Sequence, residues 1–145
     1  MRIMALDLGE KTIGVALSDP FGWTAQGIKV IKRDKNNKER EIKLLEEIIQ
    51  SHQVEKIVIG LPLNLNGTTG EQGRRALAYA ARLRQLFKLP VDLWDERLST
   101  VAAERVLLEA DTARKKRKQV IDKIAAAVIL QGYLEALKNK EVNFS

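Results

Sequence analysis

The chain contains no cysteine, one histidine, three prolines and few aromatic residues. Each shortage excludes something. Without cysteine there is no disulfide framework and no thiolate metal site. The lone His52 follows a helical pattern, as a surface or helix-end residue, and gives no basis for a histidine-centred site. No apolar run approaches the length of a membrane span. Met1 leads directly into strand-like sequence rather than a signal segment, so a cytoplasmic protein with no membrane partner is expected. What the chain does have is an ordinary globular balance, 45% hydrophobic and 30% charged, over 145 residues. That is one domain's worth, long enough to bury a proper core. Lys and Arg number 25 against 19 Asp and Glu, a net charge of +6. Such a field favours polyanions, nucleic acid first among them.

Along the chain, Arg2 to Leu8 is a short apolar run suited to a buried strand, with Asp7 near its end. Thr12 to Leu17 is a second run, close enough for a hairpin. Trp23 to Lys32 reads as a third strand. A helical period starts at Glu39 through Ile42, Leu45, Ile48 and Ile49, and Lys56 to Gly60 has the character of a central parallel strand. A loop over Leu61 to Gly73 is followed by a helix through Ala76, Ala80, Leu83 and Leu86, and Val91 to Asp95 is the next strand. Ser99 is a plausible N-cap for a helix over Val101 to Glu109. A basic loop ending at Lys118 leads into a last helix from about Gln119 to Leu137. Opening hairpins followed by βαβ units predict an α/β fold, a mixed five-stranded sheet with Arg2–Leu8 central and helices on both faces. A single domain over 1–138 and a frayed tail over 139–145 are expected.

Three acids fall where such a fold exposes them: Asp7 at the end of the first strand, Glu96 after the last strand, and Asp122 in the last helix. Alone, Asp7 reads most simply as a turn cap. Asp122 shares a helical face with Ala125, Ala126 and Ile129, whose small residues would let it approach a sheet. It reads equally well as an exposed first-turn acid favoured by the helix dipole. Converging at one sheet edge, three carboxylates would suit Mg²⁺ or Mn²⁺, which want oxygen ligands. Ions of this kind can activate water against a phosphodiester. Asp95 is a second choice, since it would point to the other side of an extended strand. The consecutive Arg114, Lys115, Lys116, Arg117 and Lys118 are candidates for phosphate contacts, as are Lys11 and Arg97, the first two residues past Gly9 and one past Glu96. The alternative for the run is a solvated loop. Neither a P-loop nor a dinucleotide fingerprint is complete, and the chain is too short for a two-domain actin-like kinase.

Asp7-Leu8-Gly9 with Lys11 and Ile13-Gly14-Val15-Ala16, Gly60-Leu61-Pro62-Leu63-Asn64 with Gly67, Asp95-Glu96-Arg97-Leu98-Ser99-Thr100, and Asp122 before Ala125-Ala126 occur in that order. Together they resemble the YqgF/RuvX family of small bacterial RNase H-fold proteins, regarded as Holliday junction resolvases and associated with ribosomal RNA maturation. The resemblance spans roughly Met1 to Leu137. It departs at Thr12, where the family often has a basic residue. It implies an RNase H-like fold in which Asp7, Glu96 and Asp122 are catalytic and hold the metal. The function implied is a metal-dependent nuclease processing the 16S ribosomal RNA precursor. A resolvase of branched DNA is the first alternative, and would need two active sites and therefore a homodimer. A non-catalytic nucleic-acid-binding factor in ribosome assembly or transcription is the second.

Overall fold

Every residue from Ile3 to Asp7 is buried, because the strand they form has a neighbour on each side and helices over both faces. The computed structural model describes residues 1–98 and 114–144, with the side chains of the last helix described over 122–140. Its strands are β1 (Ile3–Leu8), β2 (Thr12–Ser18), β3 (Ala25–Lys32), β4 (Lys56–Leu61) and β5 (Val91–Asp95). Its helices are α1 (Lys38–His52), α2 (Glu71–Phe87) and α3 (Arg114–Phe144). A 3₁₀ turn over Glu96–Leu98 follows β5.

The sheet order is β3-β2-β1-β4-β5, with the expected strand at its centre. β1 and β2 pair antiparallel with Asp7 opposite Gly14, and β2 and β3 are also antiparallel. β1 pairs parallel with β4, and β4 with β5. The carboxyl ends of β1, β4 and β5 therefore lie on one edge, where open α/β sheets commonly receive ligands.

Period-two alternation divides the strands between two cores. Met4, Leu6, Ile13, Val15, Ile57 and Ile59 pack with Leu45 and Ile48 of α1 and with Ala76, Ala80 and Leu83 of α2. Ile3, Ala5, Ala16 and Val58 face Ala125, Ala126, Ile129 and Leu130 of α3. Lys56 adds an ion pair with Asp92 at 3.0 Å, and Tyr133 of α3 donates its hydroxyl to the same carboxylate. Both contacts hold Asp92 below the usual carboxylate range, the tyrosine bond more strongly.

Two expected elements change their bounds. β3 begins at Ala25 rather than Trp23, because Asp19 accepts the Trp23 and Thr24 N–H groups at 2.6 and 2.8 Å and keeps that stretch in the turn. The last helix is longer at both ends than Gln119–Leu137. It begins at Arg114, so Arg114, Lys115, Lys116, Arg117 and Lys118 lie in the helix and not in a loop before it, and it continues to Phe144. Arg and Lys are good helix formers, and a run of them conceals the helix only by lacking an apolar period. The Ser99 cap and the Val101–Glu109 helix lie outside the described residues.

Candidate active site

Asp7 occupies the next-to-last position of β1, only 7% exposed, on the face that α3 covers. Its neighbours on that face are glycines. Gly14 is directly opposite on β2. On β4 the pairing of Leu6 with Ile59, continued by one residue, brings Asp7 level with Gly60. A Cβ on Gly14 would lie 2.1 Å from the Asp122 carbonyl oxygen of α3. A Cβ on Gly60 would lie 2.7 Å from both Glu96 Oε1 and Ile129 Cδ1. The helix backbone thus rests on the strand beside the first acid, and the side chain of the second uses the space beside it on the other flank. Glycine inside a strand commonly marks such an approach.

Asp7, Glu96 and Asp122 all line one open cleft of about 1250 Å³, together with Lys11 and Thr12. The Asp122 carboxylate has a defined orientation: Thr12 Oγ1 donates to its Oδ2 at 2.7 Å. Asp95, the second choice, is taken by Arg97 at 2.8 Å and also accepts the Arg97 backbone N–H. The guanidinium holds the Asp95 carboxyl below its ordinary value. Arg97 additionally donates to the Leu65 carbonyl at 3.3 Å, so it braces the β4–α2 loop against the end of β5. Gly67 in that loop has φ +85°, and a Cβ there would be 3.6 Å from the guanidinium.

Sequence reasoning misses a second group at the cleft. Glu41 is buried on α1 and receives both Nε and Nη2 of Arg33, at 2.8 and 3.3 Å, and the Tyr79 hydroxyl at 2.6 Å. Burial first, and then this bond, pushes the Tyr79 phenol far up, so it stays a neutral donor. Arg33 also donates Nη1 to the Gly9 carbonyl at 2.8 Å. The β1–β2 turn that follows Asp7 is thereby fixed to the β3–α1 connection, α1 and α2. Nothing in the local sequence around Arg33, Glu41 or Tyr79 signals it, since they lie in the β3–α1 connection, in α1 and in α2.

The donor set is all oxygen, as Mg²⁺ and Mn²⁺ prefer, and one acid is buried where an ion would offset its desolvation. Among the described residues no three acidic or histidine side chains already close around a single point. An ion that keeps several waters needs only one or two direct carboxylates, so the residues present suit it.

Comparison with known proteins agrees with this architecture. A "Putative pre-16S rRNA nuclease" of Desulforamulus reducens is 58% identical over 136 residues, covering 94% of this chain and 98% of the relative. A protein of the same name from Oceanobacillus iheyensis is 58% identical over 135 residues, covering 93% and 98%. Among solved structures, Thermus thermophilus RuvC in complex with a Holliday junction substrate superimposes with a TM-score of 0.59 at 12% identity, covering 95% of this chain and 96% of that one. That likeness shows the shared RNase H-like fold. The family model described as RuvX, Holliday junction resolvase, matches residues 1–136, and the chain belongs to that family.

Proposed function

We propose that the protein is a metal-dependent nuclease that hydrolyses phosphodiester bonds in the precursor of 16S ribosomal RNA, in the cytoplasm. The observation that carries this reading is the cleft in which Asp7, Glu96 and Asp122, from three separated parts of the chain, meet the solvent together. The names of the relatives support the substrate. When bound, a Mg²⁺ or Mn²⁺ ion held by these carboxylates would activate a water and stabilise charge on the phosphodiester. The remaining work belongs to the chain. β1 and its flanking glycines hold Asp7 at the sheet edge. Thr12 orients Asp122. Lys11 and the α3 stretch from Arg114 to Lys118 supply cations for the nucleic-acid backbone, which carries most sequence-independent affinity; Arg97, a candidate from sequence, is committed to Asp95.

The family description favours a second reading, cleavage of Holliday junctions in DNA; resolving a junction needs two active sites, which a homodimer would supply. One experiment separates the two. Precursor RNA and a DNA junction are incubated with wild type and with Asp7→Asn, with Mg²⁺ or Mn²⁺. Metal-dependent cleavage of the RNA is expected from wild type and none from the variant, with binding retained. Cleavage of the junction alone would transfer the activity to DNA. Added Mg²⁺ should also raise the melting temperature of wild type more than that of the variant, by mass action on the native state. Full cleavage by Asp7→Asn would overturn the site.

A further inference from the structure

The acids occupy only part of the cleft. The rest of it extends under the opposite face of the sheet, along α1 and α2. There Arg75, Ala78, Tyr79 and Arg82 of α2 line it at helical spacing, from one face of the helix, with the small Ala78 leaving room between the arginines. Lys35 and Lys38 line it from the turn before α1 and from its first residue.

The glutamates on this side are already engaged. Glu41 is held by Arg33 and Tyr79, and Glu10 lies 3.7 Å from Arg75. Asp34 is oriented by the Asn36 N–H and keeps its charge, but the cations lining this side, Lys35, Lys38, Arg75 and Arg82, outnumber it. Lys35, Lys38 and Arg82 are exposed and form no ion pair with any described residue. Arg75 to Arg82 is seven residues, about 10 Å of helix and the axial length of roughly three base pairs.

Proteins that grip single strands commonly add aromatic platforms on which the bases stack. Tyr79 is the one aromatic among the described lining residues. Its hydroxyl is bound to Glu41, and its ring lies under Arg33, 5.5 Å from the guanidinium carbon. The exposed Phe21 and Trp23 belong to the β2–β3 turn, at the other end of β2 from the cleft. A wall that offers cations and no stacking surface reads backbone and shape, the mode suited to a duplex whose bases are already stacked.

We propose that Lys35, Lys38 and Arg82 form a second phosphate-binding row, which holds the complementary strand of a base-paired substrate while the other strand passes Asp7. The inference rests on the nuclease reading's placement of substrate in this cleft, and its test is independent of cleavage. Binding is measured in EDTA over a range of salt, for an RNA stem-loop, a single-stranded RNA of equal length and a DNA duplex. Wild type should prefer the base-paired probes. The variant K35A/K38A/R82A should bind them at least tenfold more weakly, with the slope of log affinity against log salt shallower by about two to three units for three lost contacts. Its affinity for the single strand should change less than twofold. The stem-loop and DNA arms show whether the row distinguishes RNA from DNA helices. An equal loss on all three probes, no loss on the duplexes, or a wild type that prefers the single strand would each overturn the proposal. A wild type that binds as expected but never cleaves would instead overturn the nuclease reading and leave the row standing.

Discussion

The two faces of the sheet are built to different rules. The face under α1 and α2 carries Met4, Leu6, Ile13, Val15, Ile31, Ile57 and Ile59, all buried and all large. The face under α3 also buries large residues, Ile3 and Val58 against Ile129 and Leu130, but beside Asp7 it carries Gly14 and Gly60, with Ala5 and Ala16 nearby, against Ala125 and Ala126. Large side chains fill the space beneath two helices and remove much apolar area from water. Small ones forgo that gain and bring a helix backbone against the strands instead. One face chiefly holds the fold together. The other sets where Asp122 stands relative to Asp7.

Substitutions on the two faces should therefore fail in different ways. Leu6→Ala removes a fully buried side chain between the sheet and its two helices, and should destabilise by about 2–5 kcal/mol in urea unfolding. The folded fraction should keep its metal-dependent cleavage. Gly14→Ala places a methyl where the Asp122 carbonyl now sits, and backbone cannot move aside as a flexible side chain can. Its stability loss should be at least about 1–3 kcal/mol, comparable with that of Leu6→Ala, but cleavage should drop sharply even in the fraction that folds. If the folded fraction of Gly14→Ala cleaved normally, the contrast between the faces would be wrong.

The first of these faces is the more legible in sequence. β1, β2 and β4 are short apolar runs whose order and spacing predict a hairpin and a parallel neighbour, and the sheet has that order. Asp7 and Asp122 are each visible as acids in apolar settings. Their meeting at one cleft is not visible, because it depends on how closely α3 lies on Gly14 and on a bond joining residues 110 apart. The start of α3 is hidden for another reason: five consecutive cations contain no apolar residue to mark a helical face. The Arg33–Glu41–Tyr79 group has no local signature at all. It is assembled by the β3–α1 connection, α1 and α2 only after they have packed.

The smallest expected effect is on the α3 side and tests whether that face is tuned for position. Thr12 opens β2, and its hydroxyl is the contact that orients Asp122. Valine matches threonine in shape, so Thr12→Val keeps the packing at the start of β2 and removes only the donor. A hydrogen bond to a charged group contributes about 1.5–3 kcal/mol when buried. Both partners here are half-exposed, so about 1 kcal/mol or less of stability should be lost. The effect on the site should be larger than that, because outer partners of metal-binding carboxylates typically govern affinity or activity by about 10–100-fold. The Mg²⁺ concentration needed for half-maximal cleavage, or for half of the thermal stabilisation, should rise about tenfold in Thr12→Val and return in Thr12→Ser, which restores the donor. A valine variant with the wild-type dependence on Mg²⁺ in both measurements would mean that Thr12 only packs, and that Asp122 is held by the helix alone.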